Sequence, residues 1–283
     1  MEVRRQNREC RTQKFRVTHW LILAAVLLAA ACDSTPDEYK PEPNVYCLLR
    51  SDCSTTRVLC GMTRSYDDSV SESDDWQGVT EATVEIGHNG ERLVLRPLPD
   101  SAGRYITDSL LVVPRDTYTL SVYYPEGQKV SGTTVVPDTF AIVSIQTDTQ
   151  RWEIEPGVYM YEFRARARWS ASRGASGYLL TAEIRYSGAS ETLRLRDGPY
   201  VPMGREGETW FGGYVPGRTG QDTLFLDRVR FRVWALDRNY SDYLTMRWGG
   251  QRASDNLMHL DGAVGVFGSA CIAETTLHFT PPH

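Results

Sequence analysis

Residues 117–137 read TYTLSVYYPEGQKVSGTTVVP, and the fold class follows from them. Tyr118, Leu120, Val122 and Tyr124 occupy alternate positions, so one side of an extended segment is apolar and the other polar. Pro125-Glu126-Gly127 is a turn signal, and Val130 to Val136 returns in the same style. A one-sided hairpin has to cover its apolar face with a second sheet, which makes a β-sandwich the expected architecture.

The same pattern extends in both directions. Upstream, Ala82, Val84 and Ile86 share one face, Gly87-His88-Asn89-Gly90 turns, and Arg92 to Leu95 returns, so a second hairpin is expected. Downstream, Pro137-Asp138 closes the first series of strands and Phe140 to Ile145 starts another. Tyr161, Phe163, Ala165, Ala167 and Trp169 alternate, Ser170 to Gly177 turns, and Tyr178, Leu180, Ala182, Ile184 and Tyr186 alternate again. The chain of 283 residues, 41% hydrophobic and 24% charged with 23 Gly, 14 Pro and 15 Tyr, is therefore expected to be all-β. Residues 44–137 would form one sandwich and 138–283 another, and no long amphipathic helical pattern occurs after residue 32.

The first 31 residues differ in kind. Arg4, Arg5, Arg8, Arg11, Lys14 and Arg16 precede an apolar run from Trp20 to Leu28, followed by Ala29-Ala30-Ala31-Cys32. This is the plan of a secretory leader, and an apolar run of 12 residues to Ala31 falls well short of the roughly 20 that cross a bilayer. The small residues before Cys32 resemble the lipobox of bacterial lipoproteins, with Ala29 where that motif usually has Leu. The resemblance implies cleavage before Cys32, acylation of its thiol, and a membrane contact made by lipid alone. Residues 32–43 then serve as the acylated Cys and a polar, Pro-rich tether. The leader carries six of the 31 basic and two of the 36 acidic side chains, so the remainder holds 25 basic against 34 acidic groups, a formal charge of −9. That balance speaks against nucleic acid as a partner.

Four cysteines remain in the expected mature chain: Cys47, Cys53, Cys60 and Cys271. An oxidising compartment permits disulfides, and four cysteines allow three pairings; a bridge among the first three would leave Cys271 to staple the C-terminus or stand free. Their spacing without nearby His does not make a metal site.

The order of these features resembles the Bacteroidota lipoprotein family known as domain of unknown function 4249. Its pattern is a lipobox, a Pro-rich tether, a strand like Val45-Tyr46-Cys47-Leu48-Leu49, an A-x-V-x-I strand, and a Y-x-L-x-V hairpin ending in Val-Pro. The segment Asn256 to Gly268 is similar to that family's Gly-rich terminal strand. Trp169 to Tyr178, together with Val229 to Ala235 and the expected loop Leu236 to Ser241, resembles a fibronectin type III sandwich. These resemblances imply two tandem immunoglobulin-like/fibronectin III-like domains on an outer-membrane lipoprotein, facing the periplasm or the cell surface. They also imply partnership with a TonB-dependent outer-membrane transporter.

No constellation in the chain announces catalysis. There is no G-x-S-x-G elbow, and no catalytic residue, cofactor or metal is assigned. Of the histidines, His88 falls in a turn, His278 in a terminal strand and His283 at the end, leaving His259 as the one near a possible groove. Gly262, Gly265 and Gly268 lack the helix and the G-K-[ST] of a phosphate loop, so close backbone packing is the better account. Asp67, Asp68, Glu72, Asp74 and Asp75 form an acidic stretch that either binds Ca²⁺ or is merely solvated, and the same applies to Asp237, Asn239 and Asp242. Trp210, Phe211 and Tyr214, in GETWFGGY, would project from a loop as a flat surface for a glycan or peptide. A non-enzymatic binding or accessory role is the primary expectation. Glycan or peptide capture through Trp210 is the second, and a hydrolase using residues 67–75 or His259 the third.

Overall fold

The structure is a computed structural model that describes residues 39–64, 77–155, 158–186, 193–194, 200–202, 206–213, 226–249 and 259–278. It is mostly β-strand. The first part contributes β1 (Pro43–Arg50), β2 (Thr56–Met62), β3 (Thr83–His88), β4 (Glu91–Val94), β5 (Arg96–Pro97), β6 (Arg104–Thr107), β7 (Thr117–Tyr123) and β8 (Lys129–Val135). There follow β9 (Ile142–Glu155), β10 (Val158–Trp169), β11 (Gly177–Tyr186), β12 (Leu193–Arg194), β13 (Tyr200–Pro202), β14 (Glu206–Gly213) and β15 (Leu226–Leu236). A helix, α1 (Arg238–Gly249), precedes β16 (Leu260–Asp261) and β17 (Val264–His278).

The strands form three sheets. A five-stranded sheet has the order β16-β8-β7-β3-β4, and a three-stranded sheet the order β14-β10-β9. The large sheet runs β12-β11-β15-β17-β1-β2-β6-β5, with β13 also on β11. The expected hairpins are present: β3 turns into β4 through Asn89 and Gly90, both at positive φ, as an Asn-Gly hairpin turn requires. The large sheet serves both smaller ones as a sandwich partner. On one stretch Val45, Cys47, Val58, Cys60 and Phe267 pack against Val84, Ile86, Leu120 and Val122 of the five-stranded sheet. On the other, Leu180, Phe231 and Val233 pack against Ala165, Ala167 and Trp169 of the three-stranded sheet. Trp169 and Tyr178 lie 5.2 Å apart between ring centroids.

The final strand joins the two stretches. At 15 residues it is long enough to pair twice: its first half runs parallel to β1 from Asn44↔Val264 to Arg50↔Ala270, and its second half is antiparallel to β15 from Leu236↔Ala270 to Arg228↔His278. A strand expected to belong to residues 138–283 thus also completes the core built by residues 44–137, through Phe267.

The segment after Leu236, expected to be a loop, is the 12-residue helix α1. Asp237 caps it, its Oδ1 accepting the Tyr240 N–H at 2.9 Å. Tyr240 and Leu244, four residues apart, then pack with Leu236, Val266 and Ala270 on the face of the large sheet opposite the first core. Gly268 makes the docking possible, because a Cβ there would lie 2.7 Å from Tyr240 Cβ and 3.0 Å from Asp237 Oδ1. Gly265, at φ 120°, lies so close to Val45 that a Cβ would run into its carbonyl oxygen. The glycine spacing is thus one of close backbone packing, as expected.

The four described cysteines stand as thiols rather than in the pairing considered above. The strand register explains this for two of them. Cys47 is opposite Val58 and Cys60 opposite Val45, so the two are diagonal neighbours, about 7–8 Å apart by general sheet geometry and beyond disulfide reach. Cys53 donates weakly to the Thr55 carbonyl and Cys271 accepts from Ser51.

Candidate functional site

The polar half of the alternation in the five-stranded sheet builds an open groove. Because Val84, Ile86, Leu120, Val122 and Val130 face the core, Glu85, Gly87, Thr119, Ser121, Ser131 and Thr133 share the outer face. Register aligns them in two rows across the strands: Glu85, Ser121, Ser131 and Asp261 in one, Gly87, Thr119 and Thr133 in the other. Short side chains in mid-sheet with taller neighbours at the rims leave a depression. It comprises two adjoining concavities of about 330 and 670 Å³ that share Thr119 and Ser121. Gly87 is needed here, since a Cβ would meet the Thr119 hydroxyl at 2.5 Å.

Two histidine–aspartate pairs lie nearby, one on the core side of the sheet with Val84 and Ile86 and one at the edge of the larger concavity. His88 Nε2 is 2.8 Å from Asp116 Oδ2, and its ring stacks on Tyr118 at 4.3 Å. His259 Nε2 is 2.7 Å from Asp242 Oδ2, and Asp242 also faces Arg238 at 3.5 Å. Arg92 and Glu85 add a loose pair at 3.8 Å beside the smaller concavity. The hydroxyls of Thr119, Ser121, Ser131 and Thr133 hydrogen-bond to neither imidazole, so no nucleophile and base are joined here. What the groove offers is a row of groups that both donate and accept, open to water, with ionisable groups at its margins.

Just inside the groove's His259 end is a buried polar knot. Thr134 Oγ1 lies 2.5 Å from Asp237 Oδ2 and 2.7 Å from Ser269 Oγ, and Ser269 donates to the Val135 carbonyl at 3.1 Å. Burial pushes the Asp237 carboxyl up to about 6, although the Thr134 hydroxyl, the backbone at Tyr240 and Ser269, and His259 pull the other way. Asn239 donates to the Thr133 and Phe267 carbonyls, both at 2.8 Å. Asp237, Asn239 and Asp242, considered above as oxygen ligands for Ca²⁺, are thus a helix cap, a strand-to-strand clamp and a histidine partner. Among the described residues, no three His, Cys, Asp or Glu side chains stand close enough to hold a metal.

Of the residues singled out in the sequence, His259 lines the larger concavity. Trp210 and Phe211 lie in β14, opposite Arg164 and Phe163 of β10, in a strand rather than the expected loop. The run Thr209-Trp210-Phe211 has the β-prone side chains that favour pairing. Tyr214, the acidic residues 67–75 and Cys32 lie outside the described residues. The groove hydroxyls escaped notice because, along a strand, a ligand-binding polar face and a solvated one have the same period. The only sign was that Thr and Ser, rather than Lys and Glu, fill Thr119, Ser121, Ser131 and Thr133.

No curated protein matches this chain. Among solved structures, the crystal structure of the chicken CNTN1 FN1-FN3 domains is similar at 13% identity, with a TM-score of 0.24, covering 69% of this chain. The chain spans 62% of the length of that structure. The sequence features taken together, from the strand around Cys47 to the helix that ends at Gly249, match one family over residues 37–248: the chain belongs to the domain of unknown function family DUF4249.

Proposed function

We propose that this protein is a cell-envelope lipoprotein that binds a polar ligand without chemical turnover, using the outer face of its five-stranded sheet. The observation that carries the reading is the row of Ser and Thr hydroxyls in an open, shallow groove bordered by Glu85, Arg92, His259 and Asp261. Such a surface suits a ligand rich in hydroxyl or amide groups, a glycan or an extended peptide, with water filling imperfect contacts. The leader, Cys32 and the tether support attachment by acyl chains in the outer membrane of a Bacteroidota-type envelope, with two immunoglobulin-like/fibronectin III-like sandwiches held off the lipid. A TonB-dependent transporter as partner is part of the same proposal.

The test is a glycan and peptide array probed with the full chain and with Ser131→Tyr, whose ring fills the groove from a solvent-facing position. The expected result is a hit that Ser131→Tyr loses while its melting temperature holds; the same hit with both proteins overturns the site. Intact-mass measurement of the envelope form should find Cys32 acylated, and an unmodified thiol there overturns the anchor. Recovery of a transporter in a pull-down of the acylated protein is expected, and its absence counts against the partner.

One observation favours a second, hydrolytic reading: His259, oriented by Asp242, borders the larger concavity. Turnover of an array hit that disappears with His259→Ala would replace the binding role with this one.

A further inference from the structure

The large sheet carries a second polar feature, away from the groove. Register places Arg185 of β11, Arg228 of β15 and His278 of β17 directly opposite one another on three adjacent strands. They alternate with core-facing Val229 and Leu277, and so stand on the solvent side. The next two rows along the same strands are Glu183, Arg230 and Thr276, then Thr181, Arg232 and Glu274. There the charges are matched. Arg232 donates to Glu274 at 2.7 Å, Arg230 reaches Glu274 at 3.3 Å, and Glu183 lies 3.7 and 3.8 Å from the two guanidiniums.

Among the described residues, the row of Arg185, Arg228 and His278 has no such partner: the ion pairs of this face end at Arg230. Like charges set directly opposite weaken a sheet. This chain has 36 acidic side chains against 31 basic ones and matches the two neighbouring rows completely, so the unmatched row marks a place where neutralising charge arrives from outside. Two arginines directly opposite one another on neighbouring strands, with Cβ atoms about 5 Å apart, have side chains long enough to converge on the oxygens of one phosphoryl group, which guanidinium forks can grip bidentately. The imidazole of His278 supplies a further N–H donor beside them. We propose that Arg185, Arg228 and His278 form a binding site for a phosphorylated ligand, independent of the groove on the five-stranded sheet.

Phosphate of this kind belongs either to a soluble molecule or to a lipid headgroup, and two probes separate them. The full chain is titrated with inorganic pyrophosphate by calorimetry, and floated with phosphatidylcholine vesicles with and without phosphatidic acid. Arg228→Gln and Arg185→Gln are the test variants; Arg104→Gln, the exposed residue of the otherwise buried β6, is the charge control. The expected result is saturable binding of one probe, weakened at least tenfold by either test variant and unchanged by the control. Arg228-dependent pyrophosphate binding assigns a soluble ligand, and Arg228-dependent capture by the phosphatidic acid vesicles alone assigns a headgroup. Failure of both probes, or equal weakening by Arg228→Gln and Arg104→Gln, overturns the site. Circular dichroism melts of each variant identify any loss that comes from unfolding, in which case the remaining test variant decides.

Discussion

Thr134 and Asp237, 103 residues apart in sequence, meet at 2.5 Å between hydroxyl and carboxyl oxygens, a short link between the five-stranded sheet and the start of α1. Proton counting shows what this contact needs. With Asp237 ionised, Thr134 donates to it, and the single Ser269 proton has to serve either Thr134 or the Val135 carbonyl. With Asp237 protonated, its O–H donates to Thr134, Thr134 donates to Ser269 and Ser269 to Val135, so every contact has a hydrogen.

The pH dependence follows from that. The folded state holds the Asp237 proton up to about pH 6, whereas an unfolded chain releases it near 4. In the window between, the folded form binds more protons, so this group's contribution to stability falls as pH rises through it and stays low above 6. The effect is on the order of 2–3 kcal/mol. Asp237→Asn keeps the cap and supplies a permanent donor to Thr134. Urea melts from pH 4 to 8 should show the variant near the parent at pH 4 and more stable than it above pH 6; a constant offset would show that Asp237 does not titrate in this range.

Gly268→Ala should loosen the helix. With a methyl group 2.7 Å from Tyr240 Cβ and backbone beneath it, α1 has to move off β17, at a cost of about 1–3 kcal/mol. Hydrogen exchange should show amide protection in 240–246 falling more than in β7 and β8. Uniform loss, or none, would mean the helix accommodates the methyl.

Phe267→Ala removes a fully buried ring from the core beneath the five-stranded sheet and should cost about 3–5 kcal/mol. Because β17 pairs with both β1 and β15, parent and variant should each melt in one transition seen alike by near- and far-ultraviolet circular dichroism. Two separated transitions would show that the two halves are energetically independent.

Thiol reactivity should follow burial. Cys47 and Cys60 are wholly buried, and desolvation pushes Cys60 up to about 12 and Cys47 higher still. Brief iodoacetamide treatment of the folded protein, followed by peptide mass spectrometry, should label Cys53 well ahead of these two. Comparable labelling of all three would contradict the packing.

Strands were legible wherever one face is dry. Ala82/Val84/Ile86 and Tyr118/Leu120/Val122 announce themselves because burial on one side alone imposes a period of two. Neighbours were not legible: alternation in Val45-Tyr46-Cys47 says which residues face inward, but nothing says that Val264 to Ala270 will run beside them. The helix was missed because its apolar pattern is short, Tyr240, Tyr243, Leu244 and Met246 among Arg, Asn, Ser, Asp and Thr. Asp237 as a cap and Gly249-Gly250 as a stop were the available signals. The groove was hidden for a different reason, since its chemistry resides in small hydroxyls that a strand tolerates anywhere.

The pairing of Val45 with Gly265 has a bearing on how this chain reaches its native state. A polypeptide that emerges from the ribosome, or through a membrane pore, with its N-terminus first presents β1 long before its partner exists. Closing that loop of more than 200 residues carries a large entropic barrier and slows folding. Until residues 264–270 arrive, the edge of β1 and the apolar pocket that Phe267 fills stay open to other chains, which exposes the nascent protein to aggregation for most of its synthesis.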